Sequence, residues 1–410
     1  MTQKALIILF VGLLVFIAHA FVALFKKTKI PDVLLLIIIG LVLGPVLNIV
    51  RTDDFGKVGP IFSAIALIII LFEGGLELNI KHIKEIIKST FILTILSFFI
   101  TLLTVSCVSY FLLNYSLALS FYIGTILAGP APAIIIPLTK QINISDETKA
   151  KLTLESALGE ALCIVFALAI IQFIIYPNFE FGKITGAIIA SFVFAIIIGF
   201  SSGYLWSLVL NKVREMKNAI FLTPSFVFIV YGFTEFLGYS GPVAVLIFGI
   251  TIGNAEQLPF KTLNKKITLS PITHNETERL FFSEIVFLLK TFFFVYLGIS
   301  IVFSDYWVFY ISSILTIILA LSRFIASRFS HKDGLSLLDA EFTFSMFAKG
   351  LATTVLASIP FQLGINEGEN IQNIVYIVIL FSIILTSVIV FLIGKGYLRP
   401  FTKIFYRNYQ

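Results

Sequence analysis

Long apolar runs recur from one end of the chain to the other, and short polar segments separate them. A helix rises 1.5 Å per residue, so about 20 apolar residues cross the roughly 30 Å hydrocarbon layer of a bilayer. On that basis thirteen spans are predicted, at about residues 5–25, 31–50, 59–78, 88–112, 117–139, 151–176, 184–210, 219–237, 240–256, 280–302, 306–327, 340–360 and 371–394. Open strand edges leave backbone groups unpaired in lipid, so the spans are helices. The fold class expected is an all-α polytopic membrane protein. Residues 1–410 read as a single transmembrane domain, because no segment between the runs is long enough to bury a soluble core.

Polar positions refine this picture in two ways. Lys and Arg concentrate in the loops after odd-numbered spans, as at Lys26-Lys27-Lys29 and Lys261, Lys265 and Lys266, and in the tail after span 13. The other side holds only Lys4, Arg51, Lys57 and Lys183. The excess of basic residues marks the cytoplasmic side, which puts the C-terminus inside and the N-terminus outside a multi-pass protein of the cell (plasma) membrane. Helix-breaking residues then fall at corresponding places. Span 5 carries Gly129-Pro130-Ala131-Pro132, and span 12 carries Lys349-Gly350. If spans 1–6 and 8–13 correspond, the offset of seven inverts the second copy. An inverted repeat with two discontinuous crossing helices, spans 5 and 12, is a common plan for transporters.

Composition agrees and removes several alternatives. The chain is 58% hydrophobic and 13% charged, against about 25% charged in soluble domains. Its net charge of +6 sits in the loops that set topology, so it signals no nucleic-acid partner. Cys107 and Cys163 lie inside apolar runs and read as small apolar side chains. His19, His82, His274 and His331 share no ligand spacing. Ala18-His19-Ala20 is not a signal-peptidase site, since the apolar run continues through Phe25 and the basic cluster follows it. No nucleophile–base or metal constellation points to an enzyme, and no cofactor is expected.

Ionisable residues inside spans are expensive and therefore candidates for function. They are Glu73 and Glu77 in span 3, Glu155 and Glu160 in span 6, Glu235 in span 8, Glu284 and Lys290 in span 10, Arg323 in span 11 and Lys349 in span 12. Glu160 follows Gly159, which leaves room for another backbone to approach. A carboxylate there binds either a proton or a cation, the chemistry of exchange; the structural alternative is a protonated acid bonded between helices. Glu155 points about 140° away from Glu160 around the helix, so it reads as an ion-pair acid, with Lys349 and Arg323 as the available bases. Arg323 stays charged and serves a pair or a helix end. Lys349 either pairs or titrates. Glu73 reads as a residue of the ion entrance, and Glu77 as an acid that snorkels to the interface. Pro130, Pro132 and Pro137 break the hydrogen-bond ladder of span 5 and free carbonyls able to coordinate a cation; the structural alternative is a kink.

These residues, in this order, resemble the monovalent cation:proton antiporter superfamily, on the branch of the sodium/proton exchangers and archaeal NhaP-type antiporters. The resemblance covers nearly the whole chain. It includes Ile30-Pro31 through Gly40, Gly44 and Pro45, then Phe72-Glu73-Gly74-Gly75-Leu76. It continues with Tyr231, Glu235, Ser240-Gly241, Ala244-Val245, Gly249 and Gly253-Asn254, and with Glu284 and Phe293-Phe294-Val295-Tyr296-Leu297-Gly298. It implies that Glu160 takes the ion- and proton-binding position, the only metal ligand predicted (for a monovalent cation), with Ser156 a ligand beside it. It implies that Glu155 is the structural acid, that Lys349 replaces its usual arginine partner, and that Arg323 matches a second family arginine. The family's Thr-Asp-Pro in span 5 is here Pro130-Ala131-Pro132, so a hydroxyl and a carboxylate are missing and Ala131 stands at the ion-binding position. The family's Asn-Asp is here Gly159-Glu160. Fewer oxygen ligands favour a larger, less hydrated ion such as potassium.

The resemblance further implies a homodimer. A mobile core of about residues 88–176 and 306–394 would carry the site against a dimerisation part of about residues 5–78 and 184–302. The function expected is secondary active exchange of Na+ or K+ for protons by alternating access, within a lipid bilayer and with no nucleic-acid partner. The competing expectations are a proton-coupled transporter of another solute or anion, and a membrane sensor subunit that does not transport.

Overall fold

The computed structural model describes residues 9, 12–21, 23–24, 32–50, 58–78, 80–175, 181–214, 221–255, 276–301, 306–330 and 336–405. Helices make up nearly all of it, and the described residues include no strand. The helices are α1 (Gly12–Phe21), α2 (Asp32–Leu41), α3 (Val58–Glu77), α4 (Ile80–Leu113), α5 (Leu117–Ile126), α6 (Pro132–Gln141), α7 (Asp146–Ile175) and α8 (Phe181–Arg214). They continue as α9 (Leu222–Phe236), α10 (Gly241–Gly253), α11 (Glu276–Ile299), α12 (Tyr306–Ser330), α13 (Leu337–Ser345), α14 (Leu351–Gln362), α15 (Gly368–Gly394) and α16 (Arg399–Phe405). Among the described residues, six segments are long and apolar enough to cross a membrane: Ile86–Leu113, Asp146–Ile175, Ile189–Leu210, Leu280–Ile299, Tyr306–Ser330 and Gly368–Gly394. They coincide with expected spans 4, 6, 7, 10, 11 and 13. Shorter apolar helices coincide with spans 1, 2, 3, 5, 8 and 9.

Spans 5 and 12 are both discontinuous, as their breakers predict. Residues 127–131 separate α5 from α6, and residues 346–350 separate α13 from α14, five residues in each case. The first break follows from proline chemistry. Pro130 and Pro132 lack the N–H that would bond the carbonyls four residues earlier, at Ile126 and Ala128. Pro132 then opens α6 at a position where its missing N–H costs nothing, behind Ala131 in extended backbone (φ −88°, ψ 117°). In the second break, Gly350 adopts φ −151° and ψ −142° before α14 begins.

The chain forms two compact units, Ile65–Val286 and Met1–Ala64 with Phe287–Gln410. In the first unit, α3 and α10 approach through glycine. A β-carbon on Gly249 would stand 2.5 Å from the Phe72 carbonyl oxygen, and one on Gly75 would stand 2.5 Å from that of Leu246. Small residues allow such approaches between membrane helices, where dispersion rather than hydrophobic burial holds helices together. Asn254 closes the same corner. Its Oδ1 accepts from Ile80 N at 2.9 Å, and its Nδ2 donates to the Leu78 carbonyl at 2.7 Å. In the second unit, Ser312 of α12 donates to the Ile374 carbonyl of α15 at 3.1 Å, and Gly298 of α11 lies against Gly40 of α2, 2.8 Å from its ideal β-carbon position.

The loop residues Lys26, Lys27, Lys29, Lys261, Lys265 and Lys266, from which orientation is read, lie outside the described residues, as does the Glu77 side chain.

Candidate functional site

The first break packs onto α7 at the residue beside Glu160. Residues 127–131 are buried. A β-carbon on Gly129 would meet the Gly159 carbonyl oxygen at 2.6 Å, and one on Gly159 would meet Pro130 Cδ at 3.1 Å. The backbones touch because neither residue has a side chain. One turn further along α7, Cys163 Sγ accepts a hydrogen bond from Gly129 N at 2.9 Å. The sequence reads Cys163 as a small apolar residue; in the structure it holds an amide that the broken helix leaves over. Glu160 lies between these two contacts and is 4% exposed. Tyr231 and Glu235 of α9 both stand against Gly241, each 2.8 Å from its ideal β-carbon position.

The other residues of this region fall into place around that contact. Ser156 is fully buried and donates to the Thr153 carbonyl of its own helix at 3.0 Å. Ala131 is buried, and its carbonyl accepts from Ile134 N at 3.1 Å and Ile135 N at 2.9 Å, starting α6. Glu155 is buried. Lys151, which sequence places at the edge of a loop, is buried as well. It stands four residues before Glu155, on the same face of α7. Glu73 of α3 is bonded to Lys140 Nζ of α6 at 2.8 Å. Beside it, a β-carbon on Gly74 would stand 3.0 Å from Ile136 of α6 and 3.5 Å from Thr153 of α7. The acid read as part of an ion entrance thus joins α3 to the second half of the broken helix.

In the other unit, Arg323, Lys349 and Gly350 gather around the second break. Arg323 of α12 is buried, and its Nε donates to the Thr343 carbonyl at 3.0 Å. A fixed cation at the carbonyl end of a half-helix is favourable for both the hydrogen bond and the helix dipole. Lys349 is buried, and its backbone N donates to Ser382 Oγ of α15 at 3.0 Å.

Three sequence candidates serve elsewhere. Glu235 accepts from Gly241 N at 2.8 Å and so caps the start of α10. Glu284 is exposed. Lys290 is buried, with its ammonium 5.8 Å from the Phe287 ring centroid. Two buried acids of α13 escape the sequence reading, Asp339 and Glu341; Glu341, 0% exposed, accepts a hydrogen bond from Thr402 of α16. It sits close to the boundary of span 12, where a sequence does not separate a loop acid from a buried one. Among the described residues, no group of three or more His, Cys, Asp or Glu is placed to hold a metal ion.

Comparison with known proteins bears on this arrangement. A family model for the sodium/hydrogen exchanger, transmembrane, matches residues 12–396. The chain is similar to Na(+)/H(+) antiporter 1 of Methanocaldococcus jannaschii, 30% identical over 158 residues, or 38% of this chain and 37% of that protein. It is also similar to the probable Na(+)/H(+) antiporter 2 of the same organism, 29% identical over 310 residues, or 72% of this chain and 70% of that protein. The match thus spans little more than a third of the first relative. The fold is that of the sodium proton antiporter MjNhaP1 from M. jannaschii, with a TM-score of 0.69 at 21% identity, covering 98% of this chain and 99% of that one.

Proposed function

Because the chain belongs to the sodium/hydrogen exchanger family, we propose that it is a secondary active transporter, exchanging Na+ or K+ for protons by alternating access. The observation that supports this reading is the contact of a broken helix with α7 at Gly159, next in sequence to the buried Glu160. A carboxylate in that setting binds a cation through oxygen or is neutralised by a proton, and it crosses poorly when empty and charged. Competition of the two ions for one carboxylate couples their movements.

In this reading Glu160 is the carrier. Ser156, Ala131 and Glu73 take the further ion-binding positions, Ala131 with no side-chain oxygen to offer. Glu155, Lys349 and Arg323 are structural charges. The protein is a homodimer in the plasma membrane, with its N-terminus outside and its C-terminus in the cytoplasm. Residues 88–176 and 306–394 form the mobile core, and residues 5–78 and 184–302 the dimerisation part. The absence of a carboxylate and a hydroxyl at Pro130-Ala131 favours K+ over the more strongly hydrated Na+.

The test is proton flux in proteoliposomes with an imposed pH gradient and an internal pH dye, adding Na+, Li+, K+ or choline in turn. A cation-specific pH change is expected, faster with K+ than with Na+, and absent in Glu160→Gln while that variant remains folded. Equal rates with Na+ and K+ would remove the ion preference. Retained exchange in Glu160→Gln would remove Glu160 as carrier. No response to any cation from folded wild-type protein would reject antiport itself and direct the screen to anions and organic solutes.

A further inference from the structure

The exchange described above assigns no part to Glu341, a fully buried acid of the second broken helix. Its helix, α13, has nine residues. Helices that short do not hold themselves together in isolation, so the placement of α13 rests on side-chain ties. Ser336 caps its start, accepting from Asp339 N at 3.1 Å and donating to Asp339 Oδ2 at 2.6 Å. Arg323 holds its end at the Thr343 carbonyl. The third tie is at its middle, where Glu341 Oε1 accepts from Thr402 Oγ1 of α16.

Burying a carboxyl costs solvation that a leucine would not lose. What the carboxyl supplies in return is direction, since its partner is held in one place. After α15 the chain turns at Gly396 (φ +77°). Gly396 N donates to the Ile393 carbonyl at 2.8 Å and Tyr397 N to that of Leu392 at 3.0 Å, so α16 is fixed to the end of α15. Thr402 is buried while Phe401, Lys403 and Ile404 on either side of it are exposed. A second contact runs in parallel: Phe405 of α16 meets Phe324 of α12 edge-on at 5.4 Å, and Phe324 meets Phe344 of α13 at 5.7 Å.

We propose that Glu341 and Thr402 are positioning residues for the exchange, tying α16 to the half-helix α13 and so fixing the segment Met346–Gly350 that carries Lys349. This rests on the antiport reading above. The pair touches no transported ion. It acts through the placement of the break, and changes in α16 reach the exchange through it.

The experiment compares wild type with Thr402→Val, Thr402→Ser, Glu341→Leu and Glu341→Gln in proteoliposomes. It reads the apparent KM for the cation, the maximal rate and, in parallel, thermal unfolding in detergent. Thr402→Val keeps the shape and removes the hydroxyl. It is expected to raise KM on the order of threefold to tenfold, the scale of one lost buried hydrogen bond. Thr402→Ser and Glu341→Gln, which keep the donor and an acceptor, are expected to stay near wild type. If Thr402→Val does not fold, Glu341→Leu reads the same tie. Wild-type KM in the folded variants, or a fall in rate that only follows the loss of folded protein, would overturn the proposal. Failure of the antiport reading is seen separately, as a wild type that exchanges no cation, and it would take this proposal with it.

Discussion

At the scale of single residues, the site is built from side chains that are missing as much as from those present. Gly129 and Gly159 let two backbones touch beside Glu160. An alanine at Gly129 would bring a β-carbon to 2.6 Å from the Gly159 carbonyl oxygen and 2.8 Å from Cys163 Sγ. Gly129→Ala is therefore expected to destabilise the protein by about 1–3 kcal/mol through overpacking, seen as a lower unfolding temperature in detergent, with slower exchange. An unchanged unfolding temperature would show that α7 yields at this point. Glu160 was legible in the sequence because a charge inside an apolar run stands out against the cost of burying it. Lys151 and Glu341 were not, since both sit near span ends, where hydropathy alone does not distinguish a solvated charge from a buried one. The partners of Glu73 and Glu341 were hidden for another reason: Lys140 and Thr402 are 67 and 61 residues away in sequence, and no local pattern encodes such a pair.

At the scale of elements, the two broken helices are written in the chain with unequal clarity. Span 5 announces its break with Pro130 and Pro132, whose missing amides make an unbroken ladder impossible. Span 12 has only Lys349-Gly350 as a signal, and the structure shows a break of the same length there. Hydropathy located the apolar body of each helix but not its ends. α4 starts at Ile80, ahead of the expected residue 88, because a helix continues past the apolar stretch that identifies it. Packing between elements was foreshadowed by glycine. On α10, a leucine at Gly249 would drive its side chain into the Phe72 carbonyl, 2.5 Å from the β-carbon position. Gly249→Leu is expected to lower the yield of folded protein sharply and to broaden its profile in size-exclusion chromatography. A folded variant with wild-type unfolding temperature would mean that α3 and α10 separate without penalty.

At the scale of the whole molecule, the prediction concerns charge balance. With Glu160 as the single carrier, one cation exchanges for one proton and the cycle moves no net charge. An imposed membrane potential is then expected to leave the exchange rate unchanged, measured with the potential set by a gradient of the permeant anion thiocyanate, so that no transported cation is on a gradient. A rate that follows the potential would require a second titrating group, for which Lys349 is the first candidate. The class of the molecule is legible in the chain alone: apolar runs of membrane length force helices, and prolines in mid-span force a break. These follow from local chemistry, namely hydropathy, backbone donors and the cost of burying charge. Which groups meet is a matter of tertiary structure. It brought Gly129 to Gly159 and Cys163, gave Arg323 to the end of α13, Lys140 to Glu73, and Thr402 to Glu341. Such pairings depend on how helices distant in sequence cross and rotate, and many side chains must agree on that geometry at once before any one pair is fixed.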